Sequence, residues 1–372
     1  MLFPSDGATW DHSVHLNGAH YELARIYASG ASLSDVCPGP LQEQWHNITM
    51  TLKSCLKAFK TASLLLDQNC LYDAIPEYFL FEYLTTKNKI TQHVLDTYPK
   101  PKNYKFMYNL LEMLSDIRRR EVHIDTAPIV HLLSSTRGKN FLRTLHTARP
   151  ICNYNPWGTV TGRLATSPNS FPLLTMSKEF RACVRPTNDW FIELDFNGAE
   201  LRTLLALTGE EQPREDIHDW NAKNIYGGTI TRDEAKKRIF AWMYNPKSQD
   251  SLSSGAYNKE LVKNKYWDGC KIETDYYRIM DNVDEHHALN YIVQSTTIDM
   301  VHEQAHKVFE LLRGRKSNIS FLIHDAVYID LAEEDRYDIL NILDTFKKTR
   351  YGTLKVNVGA GRNLGEIKEL KL

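Results

Sequence analysis

The clearest local pattern for chemistry is the run His302-Glu303-Gln304-Ala305-His306, which fits the H-E-x-x-H pattern of zinc peptidases. Two histidines one helical turn apart can bind zinc while the glutamate acts as a base. However, the chain contains 14 histidines, so a short match arises easily by chance. Phe309 and Leu312 also stand where the extended metzincin pattern has glycine and histidine. A solvated helix face is therefore the alternative to a zinc peptidase.

A pair of aspartates, Asp195 and Asp325, indicates a different chemistry. Each lies next to the end of an apolar, strand-like run. Two carboxylates that the fold brings together can hold two divalent cations, which clamp the attacking and leaving oxygens of a phosphoryl transfer. Taken alone the pair is weak evidence, because aspartates at strand ends are common turn formers.

A stripe of cations and aromatic rings strengthens that hypothesis. Residues 231–244 fit a helix on which every fourth residue is a cation in the first half and a ring in the second half. The four residues are Arg232, Lys236, Phe240 and Tyr244. Cations bind phosphate oxygens and rings stack on a base or a sugar, so the stripe suits a nucleoside triphosphate. An ordinary helix with a basic face is the alternative.

Short strands must position the two aspartates. Residues 190–196 predict a strand that has Asp195 at its carboxyl end. Residues 319–331 predict two strands that are interrupted by His324-Asp325. We therefore expect both acids at strand ends, with Asp325 in a hairpin.

Helices dominate the N-terminal part of the chain and recur later. Apolar residues at three- and four-residue spacing predict amphipathic helices over 52–65 and 106–117, with a proline-rich break at 98–102. The same spacing predicts helices over 201–207 and 298–312. The chain is thus expected to mix helices with a smaller number of strands.

The composition limits the class of protein. With 372 residues, of which 42% are hydrophobic and 24% charged, the chain fits a globular protein of two or three lobes. Six cysteines without a C-x-x-C pair predict reduced thiols rather than a disulfide framework or a zinc ribbon. The absence of a long apolar stretch or a leader predicts no membrane partner and no secretion. The net charge of −1 gives no global indication of a nucleic-acid partner.

Several short segments, taken together, resemble motifs of the family A (DNA polymerase I-like) polymerases. Residues 195–202, with an aspartate five positions before Glu-Leu-Arg, resemble the first palm motif, and His324-Asp325 resembles the last one. Further segments follow in the order of the family over roughly residues 140–372. They are Thr161-Gly162-Arg163-Leu164, Ser167-Pro168-Asn169 with Pro172, Asp216-Ile217-His218, the stripe from Arg232 to Tyr244, Asn290 with Gln294 and Asp299, and the segment from Leu354 to Leu364. The chain resembles a divergent polymerase region of phage, viral or organellar type.

This resemblance implies an α+β chain with the right-hand polymerase fold, in which an antiparallel-sheet palm carries helical fingers and a helical thumb. The palm would comprise residues 136–205 and 291–372, and the fingers would comprise 206–290. The helical region 50–135 is inferred to be the thumb. Residues 1–49 form an N-terminal segment without an assigned role.

Carried over by position, the resemblance implies template-directed DNA synthesis, in which a deoxynucleotide is transferred onto a primer 3′-OH. Asp195, Asp325 and the backbone carbonyl of Phe196 would bind two Mg²⁺ ions. The triphosphate and nucleotide would be held by Arg232, Lys236, His218, Phe240 and Tyr244, with Glu200 excluding a ribose 2′-OH. The primer-template would be contacted by Arg163, Asn290, Gln294 and His324. Minor-groove acceptors are common to all base pairs, so donors there test shape rather than sequence.

Some positions depart from the family pattern. Ala326 stands where a third acid usually follows His-Asp, Gly198 replaces a glutamine, Asn245 replaces a glycine, and His286 replaces an arginine. Both metal aspartates and the lysine are retained, which favours an active enzyme. The alternative is a weakly active or inactive polymerase-like subunit for binding or assembly. A single-subunit RNA polymerase or reverse transcriptase is disfavoured by the residues that select a deoxyribose.

The segment before the T-G-R motif contains no paired-acid D-x-E element, so we expect no proofreading exonuclease. A net charge near zero gives little nonspecific attraction to DNA phosphates. Besides primer-template DNA and dNTPs, we therefore expect a separate exonuclease or a processivity factor as a partner. We expect the protein inside the cell, in the cytoplasm of a bacterial host or in a DNA-containing compartment.

Overall fold

The computed structural model describes residues 14–16, 19–21, 32–64, 71–168, 170–245, 248 and 250–370. Asn169 of the predicted P-N segment and much of the predicted N-terminal segment 1–49 lie outside the described residues. The chain divides into two compact units, Met1–Tyr108 and Asn109–Leu372. The boundary falls inside the region predicted as a thumb, and that assignment stays a prediction.

The helices and strands alternate along the chain after a helical N-terminal part. The helices are α1 (Gly39–Thr61), α2 (Leu71–Ala74), α3 (Glu77–Thr97), α4 (Tyr104–Arg118), α5 (Thr136–Thr147), α6 (Ala199–Thr208), α7 (Ile217–Trp220), α8 (Arg232–Tyr244), α9 (Ser251–Ala256), α10 (Lys259–Tyr266), α11 (Glu285–Leu311) and α12 (Ile339–Lys347). The strands are β1 (Val14–Leu16), β2 (Ala19–Tyr21), β3 (His123–Ile124), β4 (Tyr154–Asn155), β5 (Ala165–Thr166), β6 (Val184–Arg185), β7 (Trp190–Phe196), β8 (Ile272–Glu273), β9 (Ile279–Met280), β10 (Asn318–Ile323), β11 (Ala326–Leu331), β12 (Lys348–Thr349), β13 (Gly352–Thr353), β14 (Val356–Gly361) and β15 (Lys368–Glu369).

The first unit is built on the long helices α1 and α3. Trp45 and Tyr83 stack across them with ring centroids 5.6 Å apart, inside a core of buried aliphatic and aromatic residues. The predicted proline-rich break is confirmed, since α3 ends at Thr97 and α4 begins at Tyr104. None of the helices that the structure describes combines the length and the apolarity that crossing a membrane requires.

The second unit contains a five-stranded antiparallel sheet in the order β10-β11-β7-β14-β15. Strand β7 lies at its centre and alternates in character, because successive side chains point to opposite faces. Ile192, Leu194 and Phe196 are buried on one face, where Phe196 stacks on Phe346 of α12 at 4.6 Å. Glu193 and Asp195 lie on the other face and line a cleft of about 590 Å³.

Helices α6, α8, α10 and α11 enclose a second core in this unit. Trp242 of α8 is fully buried, and its indole N–H donates to Ser254 at 2.9 Å. Thr203 of α6 and Thr297 of α11 join the two helices through a 2.9 Å hydrogen bond between their hydroxyls. These contacts fix α8 on its apolar side, so that its polar stripe faces outward.

Candidate functional site

Asp195 and Asp325 lie at neighbouring strand ends. Strand β7 pairs with β11 so that Asp195 faces Ala326, the residue that follows Asp325. The β10–β11 hairpin closes through His324-Asp325, because Ile323 pairs with Ala326. His324 adopts a left-handed φ of 55° and is exposed, which lets the chain reverse within this tight turn. The predicted strand ends and hairpin are therefore present, and they bring the two acids together.

The surroundings of Asp195 disfavour its negative charge. Burial, together with the nearby carboxylates Asp325 and Glu193, raises the pKa of Asp195 to about 7, against the opposite effects of Asn357 and Lys236. A cation would relieve both the repulsion and the desolvation. Carboxylate oxygens are the ligands that Mg²⁺ prefers, so this donor set fits a divalent cation.

Helix α8 presents the stripe predicted from the sequence. Thr231 caps the helix, its hydroxyl accepting from the N–H of Glu234 while Glu234 accepts from Thr231. Arg232 and Lys236 are exposed on its first two turns. The ammonium of Lys236 lies close enough to influence the pKa values of both Asp195 and His218.

The rings of the stripe continue this surface. Phe240 and Tyr244 stack with centroids 6.0 Å apart, and His218 lies 5.9 Å from Phe240. His218 is 3% exposed, and burial lowers its pKa to about 4, with Lys236 and Arg232 adding to this effect against Asp216. The imidazole is therefore neutral at pH 7. Its Nδ1 is buried and has no hydrogen-bond partner among the described residues.

Arg232 is held by a carboxylate at the start of α7. Its Nε and Nη2 donate to the two oxygens of Asp216 at 3.2 and 2.9 Å. Burial acts to raise the pKa of Asp216, but the hydrogen bonds from Arg232 and Asn197 leave it well below its usual range. The guanidinium therefore has a fixed position while 42% of its side chain stays exposed.

Glu200 joins several predicted site residues into one cluster. It accepts a hydrogen bond from the Tyr244 hydroxyl and one from Arg163 Nη2 at 2.9 Å. Gln294 of α11 lies close enough to Tyr244 to act on the pKa of its hydroxyl. Burial raises the pKa of Glu200, while Tyr244 and Arg163 oppose that shift. The carboxylate is thus held in one place by two side chains from different elements.

The remaining predicted contact, Asn290, lies one helical turn before Gln294. Its Oδ1 is buried without a hydrogen-bond partner among the described residues. Together with Tyr244 and His286 it lines a cavity of about 500 Å³. An unpaired acceptor beside a cavity can bind a donor from a ligand.

Gly198, a departure from the family pattern, has a structural reason. Its φ of 60° is left-handed, and a Cβ at this position would lie 2.3 Å from Cγ2 of Ile217. A glycine is therefore required where α7 approaches the end of β7. The close approach places His218 beside Gly198 and brings Asp216 into the cleft that Asp195 lines.

Sequence reasoning assigned no role to Asn197, Arg202 or Asn357. Arg202 is fully buried, and it donates to the carbonyls of Asn197, Pro213 and Glu215 at 2.6 to 2.8 Å. Burial lowers its pKa to about 10. Arg202 thereby fastens the loop before α7 to the start of α6. A charged residue within the apolar pattern of α6 was the one available signal.

The H-E-x-x-H run does not form a zinc-peptidase site. His302 is 1% exposed, so the expected solvated face is wrong for this residue, and burial lowers its pKa to about 3. Glu303 is occupied by Arg350, which donates to it at 2.7 and 3.3 Å, and by the hydroxyl of Tyr276. Glu303, the base of the zinc-peptidase hypothesis, is therefore engaged in an ion pair with Arg350.

His306 belongs to a different group. Its Nε2 lies 3.4 Å from Glu310 and 3.8 Å from Glu112, the one set of three ligand atoms within metal-binding distance that the described residues contain. Arg313 donates to both carboxylates at 3.1 and 2.6 Å. Because a guanidinium already neutralises these acids, the arrangement is that of an ion-pair network.

Of the comparisons with known proteins, the one with solved structures finds a similar fold. No family model matches the chain, and no curated protein matches it. The structure is similar to the POL domain of Pol1 from M. smegmatis, solved in complex with DNA primer-template and dNTP, with a TM-score of 0.50 and 15% identity. The match covers 77% of this chain and 55% of the POL-domain chain. The protein therefore has a mixed helix and strand architecture, and its fold is distantly similar to that of a polymerase domain.

Proposed function

We propose that this protein is a DNA-directed DNA polymerase, which transfers a deoxynucleotide from a dNTP onto a primer 3′-OH. The observation that carries the proposal is the placement of Asp195 beside Asp325, with Lys236 close enough to act on Asp195 and on His218. Paired acids next to cations are what phosphoryl transfer requires. The polymerase-like fold supports the same reaction.

Asp195, Asp325 and the carbonyl of Phe196 would hold two Mg²⁺ ions. When bound, the ions would stabilise the attacking and leaving oxygens of the displacement. The protein's own contribution is a half-buried, preorganised pair of carboxylates at two strand ends. Ala326 supplies no third carboxylate beside them.

The nucleotide would lie along α8. Arg232, fixed by Asp216, and the exposed Lys236 would bind the phosphate oxygens. His218 is neutral and would contribute a hydrogen bond rather than a charge. Phe240 would pack on the sugar and base, and Tyr244 would lie beside the templating position.

Glu200 would select against ribonucleotides. Its carboxylate is held between Arg163 and Tyr244, so it cannot move aside to admit a 2′-OH. Arg163 and Gln294 would follow the minor groove near the primer terminus, and His324 would lie by the primer end. Asn290 would accept from the DNA through its unpaired Oδ1.

The proposal assigns the palm to residues 136–205 and 291–372, the fingers to 206–290 and the thumb to 50–135. These assignments follow from the resemblance of the sequence to family A polymerases, and the antiparallel sheet within the second palm segment is consistent with them. A separate exonuclease or a processivity factor is proposed as a further partner. A processivity factor would compensate for weak nonspecific attraction between the chain and DNA, and an exonuclease would supply the editing of mismatched primer ends.

A primer-extension assay tests the function. Purified protein is incubated with a primed template, Mg²⁺ and either dNTPs or rNTPs. We expect the primer to be extended in the reaction with dNTPs and not in the reaction with rNTPs. Asp195→Asn and Asp325→Asn should abolish this extension. Glu369→Gln is the matched control, because this exposed acid on β15 lines the same cleft and the change removes the same charge.

A second candidate function is a polymerase-like DNA-binding subunit without useful activity. It is favoured by one observation, namely that Ala326 lies directly across from Asp195 in the sheet, where a third acid is absent. Binding of primer-template with wild-type affinity but no extension, under both Mg²⁺ and Mn²⁺, would favour this candidate over the enzyme.

A further inference from the structure

Asn197 is a buried junction of side-chain hydrogen bonds next to Asp195. It is 3% exposed, and its Nδ2 donates to Oδ2 of Asp216 at 2.7 Å and to Oδ1 of Asn357 at 3.4 Å. Its Oδ1 accepts from the N–H of Ile217 at 2.9 Å and from Nη2 of Arg202 at 3.1 Å. Both donors and both acceptor sites of this amide are therefore in use.

The two branches of the junction end on functional groups. Asn357 of β14 pairs with Asp195 of β7 in the sheet, so that the two side chains are cross-strand neighbours on one face, and Asn357 lowers the pKa of Asp195. Asp216 receives two N–H groups from Arg232. A continuous path of side chains thus runs from Asp195 through Asn357, Asn197 and Asp216 to Arg232.

The hydrogen-bond partners determine how each amide is oriented. Because two N–H donors point at Oδ1 of Asn197, its NH₂ group must face Asp216 and Asn357. Asn357 then accepts with its Oδ1, which leaves its own NH₂ group to donate to Asp195. Flipping either amide would place like groups against each other and leave buried polar atoms unpaired.

We propose that Asn197 and Asn357 are positioning residues that couple the orientation of Asp195 to the placement of Arg232 when a nucleoside triphosphate binds. The inference rests on the proposed function. Arg232 would bind phosphate oxygens, and any displacement of its guanidinium would pull on Asp216 and be passed through the two amides to Asp195. Asn357 would in this way orient the Asp195 carboxylate, while Asp195 itself remains the metal ligand.

The position of Asn357 supports a role in the site rather than in the scaffold. The β7–β14 pairing is already made by backbone hydrogen bonds, and the loop before α7 is already fastened by Arg202. The side chain of Asn357 is half-buried and lies on the wall of the 590 Å³ cleft that Asp195 and Arg232 also line. Its amide is thus available to the site.

A double-mutant cycle tests the coupling without requiring catalysis. The affinity of dNTP is measured in ternary complexes with Mg²⁺ and a primer that ends in a dideoxynucleotide, for wild type, Asn357→Ala, Arg232→Ala and the double variant. Asn357 and Arg232 do not contact each other directly, so independent effects would multiply. We expect Asn357→Ala to weaken dNTP binding about fivefold in the wild-type background and less than about twofold beside Arg232→Ala.

Two further variants sharpen the cycle. Asn357→Asp keeps the shape but removes the donor, so it should weaken binding at least as much as Asn357→Ala. Asn318→Ala, a half-buried asparagine on β10 of the same sheet, is the matched control and should change affinity less than about twofold. Equal losses from Asn357→Ala in both backgrounds, or wild-type affinity of Asn357→Asp, would overturn the proposal.

A parallel cycle on urea unfolding separates this proposal from the proposed function. If the wild-type protein forms no ternary complex, the proposed function fails. Non-additive shifts of the unfolding midpoint would then show that the bridge exists as scaffold alone, and the coupling role is rejected. Coupling in dNTP binding supports the proposal whichever result unfolding gives.

Discussion

The strand-end site around Asp195 and the helical segment from His302 to His306 both carry acids and histidines, but their charges are compensated differently. In the helical segment, Arg350 and Tyr276 bind Glu303, Arg313 bridges Glu112 and Glu310, and His302 is buried and neutral. Around Asp195, acids repel one another, and the cation of Lys236, which lowers the pKa of Asp195, is exposed.

The difference shows what distinguishes a site from a polar scaffold. A scaffold network satisfies its own charges, because unpaired buried charge is costly. A binding site contains charges that only a ligand compensates, and the fold tolerates the loss of stability that these charges cause. The comparison can be tested by substitutions on both sides, since those at the strand ends should affect chemistry and those in the helical segment should affect stability.

The largest expected effect is on extension by Asp195→Asn and Asp325→Asn. Each should lower kcat by at least about 10³-fold, because losing a metal carboxylate removes several kcal/mol of transition-state stabilisation. Single-turnover extension of a primed template measures this.

The matched changes in the helical segment are His302→Gln and His306→Gln. Each should keep extension within about threefold, provided that the variant is folded. Loss of extension by a folded His306→Gln variant, together with bound zinc in the purified protein, would contradict the comparison.

The next effect concerns Lys236 on α8. Lys236→Ala should reduce kcat/KM for dNTP by about 10²-fold, because it removes a cation that acts on the developing phosphate charge. Lys237→Ala, which removes the neighbouring exposed cation, is the control. Similar losses from both variants would show that the stripe is only a basic face.

A smaller effect is expected on sugar selection. Glu200→Ala should reduce the preference for dNTP over rNTP about tenfold or more, since it opens space beside the sugar. The preference is the ratio of the two kcat/KM values. Glu210→Ala, an exposed glutamate just beyond α6, should keep the ratio, and an unchanged ratio in Glu200→Ala would reject the selection role.

The local parts of the site could be predicted from the sequence. Strand β7 begins and ends at the predicted residues, and α8 and the His324-Asp325 hairpin follow from patterns of neighbours. Local periodicity reports which residues share a face. It therefore located Asp195, Asp325 and the stripe of α8 correctly on their elements.

The contacts between elements could not be predicted in the same way. Asn197 and Asn357 are far apart in the chain, and their junction depends on strand register and on amide orientation. The burial of His302 likewise depends on which face of α11 packs against the rest of the protein. Such contacts are set by tertiary packing, which a single sequence does not report.

Gly198 offers a test of the packing that brings the site together. Gly198→Ala should lower the free energy of unfolding by about 2 kcal/mol, because the new Cβ would clash with Ile217 and φ is left-handed. Gly209→Ala has a similar φ of 78° but open space, so it should cost about 1 kcal/mol. Urea denaturation compares the two, and equal losses would indicate that strain alone decides.

The last prediction concerns the pH dependence that buried His302 gives to stability. Its pKa of about 3 in the folded protein lies below the value of about 6.5 in an unfolded chain. Between these values the unfolded chain binds one more proton, so stability is lost as pH falls from about 6.5 towards 3. One such group contributes a slope of up to about 1.4 kcal/mol per pH unit.

His302→Gln should make the slope shallower by up to about 1.4 kcal/mol per pH unit and leave the part due to buried His218, whereas His286→Gln, an exposed position on the same helix, is the matched control. The free energy of unfolding is measured by urea denaturation at steps between pH 7 and pH 4.5. A slope in His302→Gln that equals that of the wild type would mean that other buried groups, such as His218, carry the whole pH dependence, since burial lowers the pKa of His218 as well. In that case the strand-end site, and not the helical segment, would hold the acid-sensitive histidine, and the contrast between the two regions would be reversed for stability.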